Sequence, residues 1–314
     1  MTFDIKIGES KLNMIDRVSI KRSVLTLGNT AAIVLPGTMH NKELDVKSKL
    51  KIQDKVTIKL GYDSNLKTEF EGYLTKITIE NGTIQLECED DLQQYRKKVK
   101  NKQFLATSVK NILEYVTQEV SSECKVVCSN DIQYEKFIIH EKTGYDILKT
   151  IQNDLSVNIY IKDKELHAHA MGSKTHGDAT YNFATNIESD NLRYKTKEER
   201  KVKVKVSGDE KDEEGKLIMG ESGSDEGDEV SRKISGMSSA NLEKIAKEIH
   251  GRSSFDGCEG TFRAWLIPYC DAGYEAIIKN DEDKKKEGTY YVAAVDTEFS
   301  ESGAVRTISL GKKM

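Results

Sequence analysis

The amino-acid sequence predicts a mainly β fold with an α+β insert: two related small β-barrels separated by a two-helix α/β domain. Between residues 56 and 86, apolar and polar residues alternate with the period of a β-strand, and polar loops interrupt the alternation. Asn81-Gly82 joins two of these strands, and Asn-Gly favours a tight hairpin because both residues tolerate a positive φ. Between residues 103 and 178 the apolar spacing becomes three and four, which is typical of helices.

A second meander between residues 276 and 310 repeats the order of the first. Each copy has a strand, a polar loop, a glycine followed by tyrosine, a long strand, a glycine-containing turn and a final strand. Gly72-Tyr73 occupies the glycine–tyrosine position in the first copy, and residues 288–291 occupy it in the second. Internal repeats set the architecture of a chain, so we predict a structural duplication. The alternative is two unrelated meanders, because short meanders have similar patterns.

The chain is long for a single hydrophobic core, since it has 314 residues. We therefore predict a first β-barrel domain at residues 1–98, an α/β domain at residues 99–178 and a second β-barrel domain at residues 179–314. Only two prolines occur, which suits a chain rich in regular structure.

Four helices are predicted from capping residues that precede apolar residues at helical spacing. They begin after Asp90 or Asp91, after Thr107 or Ser108, after Thr143, and after Ser238 or Ser239. The first is short and includes Leu92, Tyr95 and Val99. The last spans about residues 239–250, and Gly251 ends it.

Alternation also predicts strands outside the two meanders. Residues 24–27 continue a strand that starts at Arg17, and residues 31–35 form a short strand that ends at Pro36-Gly37. Residues 201–206 alternate lysine with valine, so we expect the valines in a core and the lysines outside. Residues 221–229 are acidic and rich in glycine and serine, which predicts a mobile loop.

The charge of the chain gives no sign of nucleic-acid binding, because 48 basic residues face 52 acidic ones and the net charge is −4. The basic run at residues 96–102 could contact phosphate, but a solvated linker is the favoured interpretation. No apolar run approaches the roughly 18 residues of a membrane helix, and the N-terminus lacks a signal-peptide core. We expect synthesis in a bacterial cytoplasm, with no membrane anchor and no sequence-specific nucleic-acid binding.

The cysteines and histidines do not form a recognisable metal or disulfide pattern. The five cysteines are odd in number and scattered, at Cys88, Cys124, Cys128, Cys258 and Cys270, so we predict free thiols. His167 and His169 are two apart on a predicted strand and His176 is near in sequence, which raises the possibility of a zinc site. No further ligand completes that site, and we predict a polar strand face instead. The acidic residues 225–229 lack the ligand order of a calcium loop.

No catalytic motif is present, since the sequence has no phosphate-binding loop, no nucleophile elbow and no zinc-protease helix. Two carboxylates could serve as the acid and base of a glycosidase, but 52 acidic residues make that observation uninformative. We therefore predict a protein that is not an enzyme, with no catalytic, cofactor-binding or metal-binding residues and no cofactor.

A set of short motifs, spread over nearly the whole chain in a fixed order, resembles a known family. The motifs are Val18-Ser19-Ile20, Ala32-Ile33-Val34-Leu35-Pro36-Gly37, residues 56–62, Glu69-Phe70-Glu71-Gly72-Tyr73, residues 86–90, Gly144-Tyr145-Asp146-Ile147-Leu148, Asn186-Ile187, residues 257–268, residues 288–292 and Ile308-Ser309-Leu310-Gly311. In this order they resemble the baseplate hub proteins of contractile phage tails, the late control protein D family. They are also similar to the N-terminal hub part of the type VI secretion protein VgrG.

This resemblance implies two tube-like β-barrels per chain and a homotrimer whose six barrels form a pseudo-sixfold ring. The ring would join a hexameric tail tube to a trimeric central spike, within the baseplate of a virion or of a tail-like contractile injection machine. Expected partners are the tail tube protein, a separate spike protein and other baseplate proteins. The sequence departs from the family in two places: it stops at Met314, so we expect the spike on another chain, and residues 268–273 replace the usual Pro-Gly-Asp turn.

Two other functions remain open from the residues alone. The first is a tail-tip peptidoglycan hydrolase that uses carboxylates of the acidic loops. The second is a receptor- or carbohydrate-binding β protein, in which Trp265 and tyrosines form a stacking platform. Trp265 lies in an apolar run typical of a core, and aromatic residues are only 7% of the chain, so the structural hub is the leading hypothesis.

Overall fold

The computed structural model describes residues 1–36, 38–39, 42–43, 49–63, 65–80, 82–130 and 132–314. Strands hold 53% of the residues and helices 17%, which confirms the predicted mainly β class. Two compact units make up the chain. The β unit comprises Met1–Gln93, His176–Leu192 and Gly260–Gly311, and the mixed unit comprises Gln94–Thr175, Arg193–Glu259 and Lys312–Met314. Both predicted barrel ranges contribute to the β unit, while the three-domain division stays a prediction.

The described residues of the N-terminal part of the β unit form nine strands. They are β1 (Thr2–Ile7), β2 (Ser10–Leu12), β3 (Arg17–Ser23), β4 (Thr30–Pro36), β5 (Thr38–Met39), β6 (Lys42–Glu43), β7 (Lys55–Tyr62), β8 (Asn65–Glu80) and β9 (Thr83–Glu89). Gly82 takes the positive φ that the predicted hairpin turn needs, at 73°, while Asn81, Ser64 and Gly37 lie outside the described residues.

The following segment, in the mixed unit, contains two helices and five strands. They are β10 (Lys102–Ser108), α1 (Val109–Glu119), β11 (Lys125–Cys128), β12 (Gln133–Ile139), α2 (Gly144–Leu155), β13 (Val157–Lys162) and β14 (Glu165–Ala170). Both predicted caps are confirmed. The Ser108 side chain accepts a hydrogen bond from the Asn111 N–H, and Thr143 forms a reciprocal capping box with Asp146.

The remaining segment returns to strands and has one helix. Its elements are β15 (Asp178–Asn182), β16 (Ile187–Asp190), β17 (Arg193–Lys195), β18 (Val202–Lys211), β19 (Leu217–Gly223), β20 (Asp228–Lys233), α3 (Ser239–Ser253), β21 (Gly257–Glu259), β22 (Thr261–Trp265), β23 (Glu275–Lys279), β24 (Gly288–Ser300) and β25 (Gly303–Lys313). In β18 the central valines, Val204 and Val206, are fully buried as the alternation predicts.

Among the described residues, 13 strands of the β unit form one hydrogen-bonded sheet, and β5 and β6 form a separate pair. The main path of the sheet is β16-β22-β25-β24-β3-β4-β9-β8-β7-β1-β2, and β23 joins β15 to β24 beside this path. The antiparallel pair of β24 and β3, in register from Ala294↔Ser23 to Ser300↔Arg17, connects the two meanders. Phe299 and Ala304 of the second meander accordingly pack into the core of the first, together with Leu266, which follows β22.

Four local predictions are wrong. Residues 24–27 form a bend after β3, and Val24 there donates its N–H to the Ala293 carbonyl, 3.0 Å away. The predicted helix after Asp90 is a 3₁₀ helix over Asp91–Arg96, and Val99 lies beyond it. Helix α3 continues through Gly251, because this glycine does not take the left-handed φ that ends a helix. The loop predicted at residues 221–229 is limited to the turn at residues 224–227, because β19 and β20 occupy its two ends, while its mobility stays a prediction.

Candidate functional site

The β unit contains the same strand order twice. The first repeat is β3-β4-β9-β8-β7-β1, and the second is β16-β22-β25-β24-β23-β15. The repeats differ at their last pair, because β1 runs antiparallel to β7 whereas β15 runs parallel to β23. The duplication therefore extends beyond the two meanders, to six strands in each repeat.

Backbone geometry at the start of each meander supports this correspondence. In the first repeat the Gln53 N–H donates to the Leu74 carbonyl at 2.8 Å, and in the second the Gly273 N–H donates to the Val292 carbonyl at 2.9 Å. Both donors take a left-handed conformation, with φ of 77° at Gln53 and 86° at Gly273. Non-glycine residues rarely adopt this conformation, so Gln53 keeps the backbone shape of the repeat despite its side chain.

A buried ionic cluster connects the two repeats inside the β unit. Glu69 of β8 lies between Arg22 of β3 and Arg306 of β25, and all three side chains are almost fully buried. Arg22 Nη2 lies 2.9 Å from one Glu69 carboxylate oxygen, and Arg306 Nη2 donates to the other. Burial alone would lower the pKa of Arg22, but the nearby Asp271 and Glu69 carboxylates raise it, so this guanidinium stays charged.

The chain before β23 supplies further partners of the two arginines, and the Thr297 hydroxyl of β24 accepts a hydrogen bond from Arg22 Nη2 at 3.4 Å. Arg306 Nη1 donates to the carbonyls of Leu266 and Pro268, the latter at 2.9 Å, and Arg22 Nη2 donates to the Cys270 carbonyl at 3.2 Å. The Tyr269 ring lies beneath both guanidinium groups. This segment is the one that departs from the Pro-Gly-Asp pattern, and its backbone is anchored on the ionic cluster.

The structure brings two of the three flagged histidines together. His167 and His169 of β14 are buried, and His167 Nδ1 lies 3.1 Å from His169 Nε2. His176 belongs to the β unit. Across the described residues, no group of three histidine, cysteine, aspartate or glutamate side chains is placed to hold a metal ion.

These two imidazoles form the centre of a polar chain whose ends the sequence analysis missed. The Ser129 hydroxyl lies 2.8 Å from His169 Nδ1, and a Glu165 oxygen lies 3.4 Å from His167 Nε2. Burial lowers the pKa of both histidines, and the pKa of His169 falls to about 4 because His167 adds to the effect. Both rings are therefore neutral at pH 7. Ser129 follows β11, which pairs in parallel with β14. No local sequence pattern predicts this pairing, because the two strands are far apart in the sequence.

The five cysteines are free, as predicted. Cys88, Cys258 and Cys270 are buried, and Cys124 and Cys128 are half-buried. Burial raises the pKa of Cys88 to about 12 and that of Cys270 to about 11. These thiols therefore stay protonated and unreactive at neutral pH.

Carboxylates of the predicted acidic loop are paired with Lys201, just before β18, and with two outward lysines of β18. Lys201 contacts Glu226 at 2.9 Å, Lys203 contacts Asp225, and Lys205 contacts Glu229 at 2.6 Å. An acid–base pair for glycoside hydrolysis needs two carboxyl groups that face a substrate. Here the carboxylates form ion pairs with surface lysines, so the structure gives the hydrolase hypothesis no support.

Trp265 does not lie in the core, contrary to its apolar sequence context. It is 45% exposed on β22, and Ile267 just beyond that strand is 56% exposed. The inward positions of the strand belong to Phe262 and Ala264, which are buried. Strand alternation therefore places Trp265 outward even though its neighbours are apolar.

Solved structures with a similar fold are tail proteins and related secretion components. No protein-family model and no curated protein matches the sequence. A tail protein from Neisseria meningitidis MC58 aligns with a TM-score of 0.72 at 11% identity, covering 99% of this chain and 96% of that one. The 43 kDa tail protein of prophage MuSo2 from Shewanella oneidensis aligns with a TM-score of 0.70 at 13% identity, covering 98% and 97%.

A third similar structure is the E. coli c3393 protein, a component of the type VI secretion system. It aligns with a TM-score of 0.63 at 10% identity over 99% of this chain and 79% of its own. At these identities the likeness shows the fold, which the chain shares over nearly its whole length. No helix among the described residues is both long enough and apolar enough to span a membrane.

Proposed function

We propose that this chain is a structural hub of a phage tail or a tail-like contractile injection machine. Three copies would form a pseudo-sixfold ring that joins the hexameric tail tube to the trimeric central spike. The observation that carries the proposal is the repeated strand order in the β unit. Three subunits with two similar repeats each present six nearly equivalent surfaces, which is what a sixfold tube requires of a threefold partner.

The similar fold of phage tail proteins and of a type VI secretion component supports this proposal. It also supports the narrower assignment to baseplate hubs of the late control protein D type and to the N-terminal part of VgrG. In this role the chain binds other proteins: further copies of itself, the tube protein, a separate spike protein and other baseplate proteins. It catalyses no reaction and resides in the baseplate of the particle.

The first test is the mass of the purified chain in solution, measured by light scattering on a sizing column over a range of concentrations. We expect a species at three times the 35.3 kDa chain mass. If the chain alone is monomeric, co-expression with the spike and tube proteins of the same particle should give a complex containing three copies. A stable dimer would contradict the proposal, because no threefold ring can be built from it.

A further inference from the structure

The long strand of the second repeat changes partners along one side. Residues 288–291 of β24 pair with β23, and residues 294–300 pair with β3. Strand β25 follows β24 after only two residues and is 11 residues long, so it lines the opposite side. Strand β3 therefore continues the side of β24 that β23 begins.

The long strand of the first repeat leaves the corresponding side open. Residues 65–73 of β8 pair with β7, and residues 73–80 pair with β9 on the opposite side. Within the described residues, no strand pairs with residues 76–80 on the side that β7 begins. This is the position that β3 fills along β24.

The strand that corresponds to β3 in the second repeat also has an open side. Strand β3 pairs with both β4 and β24, whereas β16 pairs with β22 and ends the sheet path of the described residues. In the described part of each copy, one side of β8 at residues 76–80 has no strand in the place that β3 takes along β24. Strand β16, which corresponds to β3, has a neighbour on one side only. We infer that residues 76–80 of β8 pair with β16 of a second copy, repeating between chains the β24–β3 pair within each chain. This inference rests on the proposed hub function.

The exposure of two matching side chains supports a strand neighbour for β8 in a second copy. Phe299 and Ile79 occupy the same place, one residue before the end of their strands. Phe299, which lies opposite Val18 of β3 and against the Phe3 ring, is 5% exposed, whereas Ile79 is 48% exposed. A single exposed apolar side chain at a strand edge is common and needs no explanation. Here, however, the matching residue Phe299 is buried beside β3, so we expect a β3-like strand to pair beside Ile79 as well.

The two repeats also predict the register of the new pair. Phe299 lies opposite Val18, and Val18 lies opposite Ile33 of β4. In the second repeat Ile187 of β16 lies opposite Ala264 of β22, which matches Ile33. Ile79 of one copy should therefore lie opposite Ile187 of the next.

Charges along the two edges are complementary. In the pair within the chain, the acidic Asp296 of β24 lies opposite the basic Lys21 of β3. In the proposed pair the signs are exchanged, because β8 contributes Lys76 while β16 contributes Glu188 and Asp190. Within the chain Lys76 also contacts Glu87, and the two carboxylates contact Arg263 and Lys286. Exchanged signs favour β16 over a second β3 as the partner of β8.

The decisive experiment mixes two variants, Ile79→Cys and Ile187→Cys, each made in a chain whose five native cysteines are replaced by alanine, and treats them with a short bismaleimide. We expect a product of twice the chain mass from the mixture and from neither variant alone, since each new thiol needs the other chain. A chain carrying both Ser19→Cys and Glu298→Cys is the positive control, because these positions face each other within one copy and should cross-link without a change in mass.

A second variant, Ile79→Lys, places a charge at the proposed contact, and we expect loss of the trimer peak. Leu25→Lys is the matched control, because Leu25 is 55% exposed and lies outside both edges, and it should keep the trimer. A trimer that survives Ile79→Lys and gives no cross-link in the mixture overturns the inference and leaves the hub function standing. A wild-type chain that stays monomeric even with spike and tube proteins overturns both.

Discussion

In the β unit, Glu69 lies between two buried arginines, whereas in the mixed unit the buried His167 lies against His169. The first cluster keeps its charges and compensates them by pairing. The second avoids charge, because burial lowers the pKa of both imidazoles. The first should therefore be sensitive to removal of a partner and the second to acid, and four predictions examine this difference.

The largest effect is expected for Glu69→Gln, which leaves two buried guanidinium groups without a carboxylate. We expect a loss of about 3–5 kcal/mol in the free energy of unfolding. Urea denaturation followed by the fluorescence of Trp265, the only tryptophan and a residue of the β unit, measures it. Glu71→Gln, at an exposed position of the same strand, is the control. A loss below about 1 kcal/mol would show that the cluster does not stabilise the β unit.

Arg306→Leu should cost less, about 2–3 kcal/mol, because Glu69 keeps Arg22 as a partner. Leucine is the residue that the first repeat has at the matching place, since Leu86 and Arg306 each follow the start of their strand by three residues. The same fluorescence measurement applies. A cost equal to that of Glu69→Gln would mean that the three side chains act as one inseparable group.

Acid should weaken the mixed unit through the two histidines. Their pKa values are lower in the folded chain than the ordinary 6.5, and that of His169 is about 4. The unfolded chain therefore binds more protons between these values, so stability is full above pH 6.5 and falls as the pH approaches 4. We expect a loss of roughly 2 kcal/mol, measured as faster amide exchange of β13 and β14.

His169→Gln should reduce that pH dependence, whereas His140→Gln, at an exposed histidine of the same unit, should leave it intact. Imidazole resonances in NMR spectra follow the two protonations directly. Titration of His169 at or above its ordinary pKa would show that the ring is not buried as described.

The smallest effect is expected for Ser129→Ala, which removes the hydroxyl that lies 2.8 Å from His169 Nδ1. We expect a loss of about 1 kcal/mol, because one neutral hydrogen bond to a buried ring is lost. Amide exchange of β14 measures it. Ser173→Ala removes an exposed hydrogen bond instead and should change little. Equal effects of the two variants would contradict a stabilising role for the polar chain.

Local sequence patterns predicted the features that depend on neighbouring residues, namely strand alternation and helix caps. Alternation predicted the mainly β class and the two meanders, and the caps at Ser108 and Thr143 begin their helices as expected. Patterns failed at Trp265, because an apolar run does not reveal which of its two strand faces is buried. They also failed at residues 24–27, which bend after β3.

The sequence could have predicted that the arginines of the ionic cluster are buried, but not which residues pair with them. Arg22 follows Val18 and Ile20 on the inward face of its strand, and Arg306 lies between the buried Ala304 and Ile308. A charge in register with apolar residues is a sign of a buried ionic group. Which partner meets it could not be inferred, because Arg22 and Glu69 are 47 positions apart, and Glu69 and Arg306 are 237 apart.

The pair between β24 and β3 has a consequence for how the chain is made. Residues 17–23 leave the ribosome long before their partners at residues 294–300. At translation rates of about 5–20 residues per second that interval is on the order of tens of seconds. During it, one side of β3 is an unpaired strand edge, open to pairing with other nascent chains. Completion of the β unit therefore has to wait for residues 294–300, and slower translation would lengthen the time at risk of aggregation.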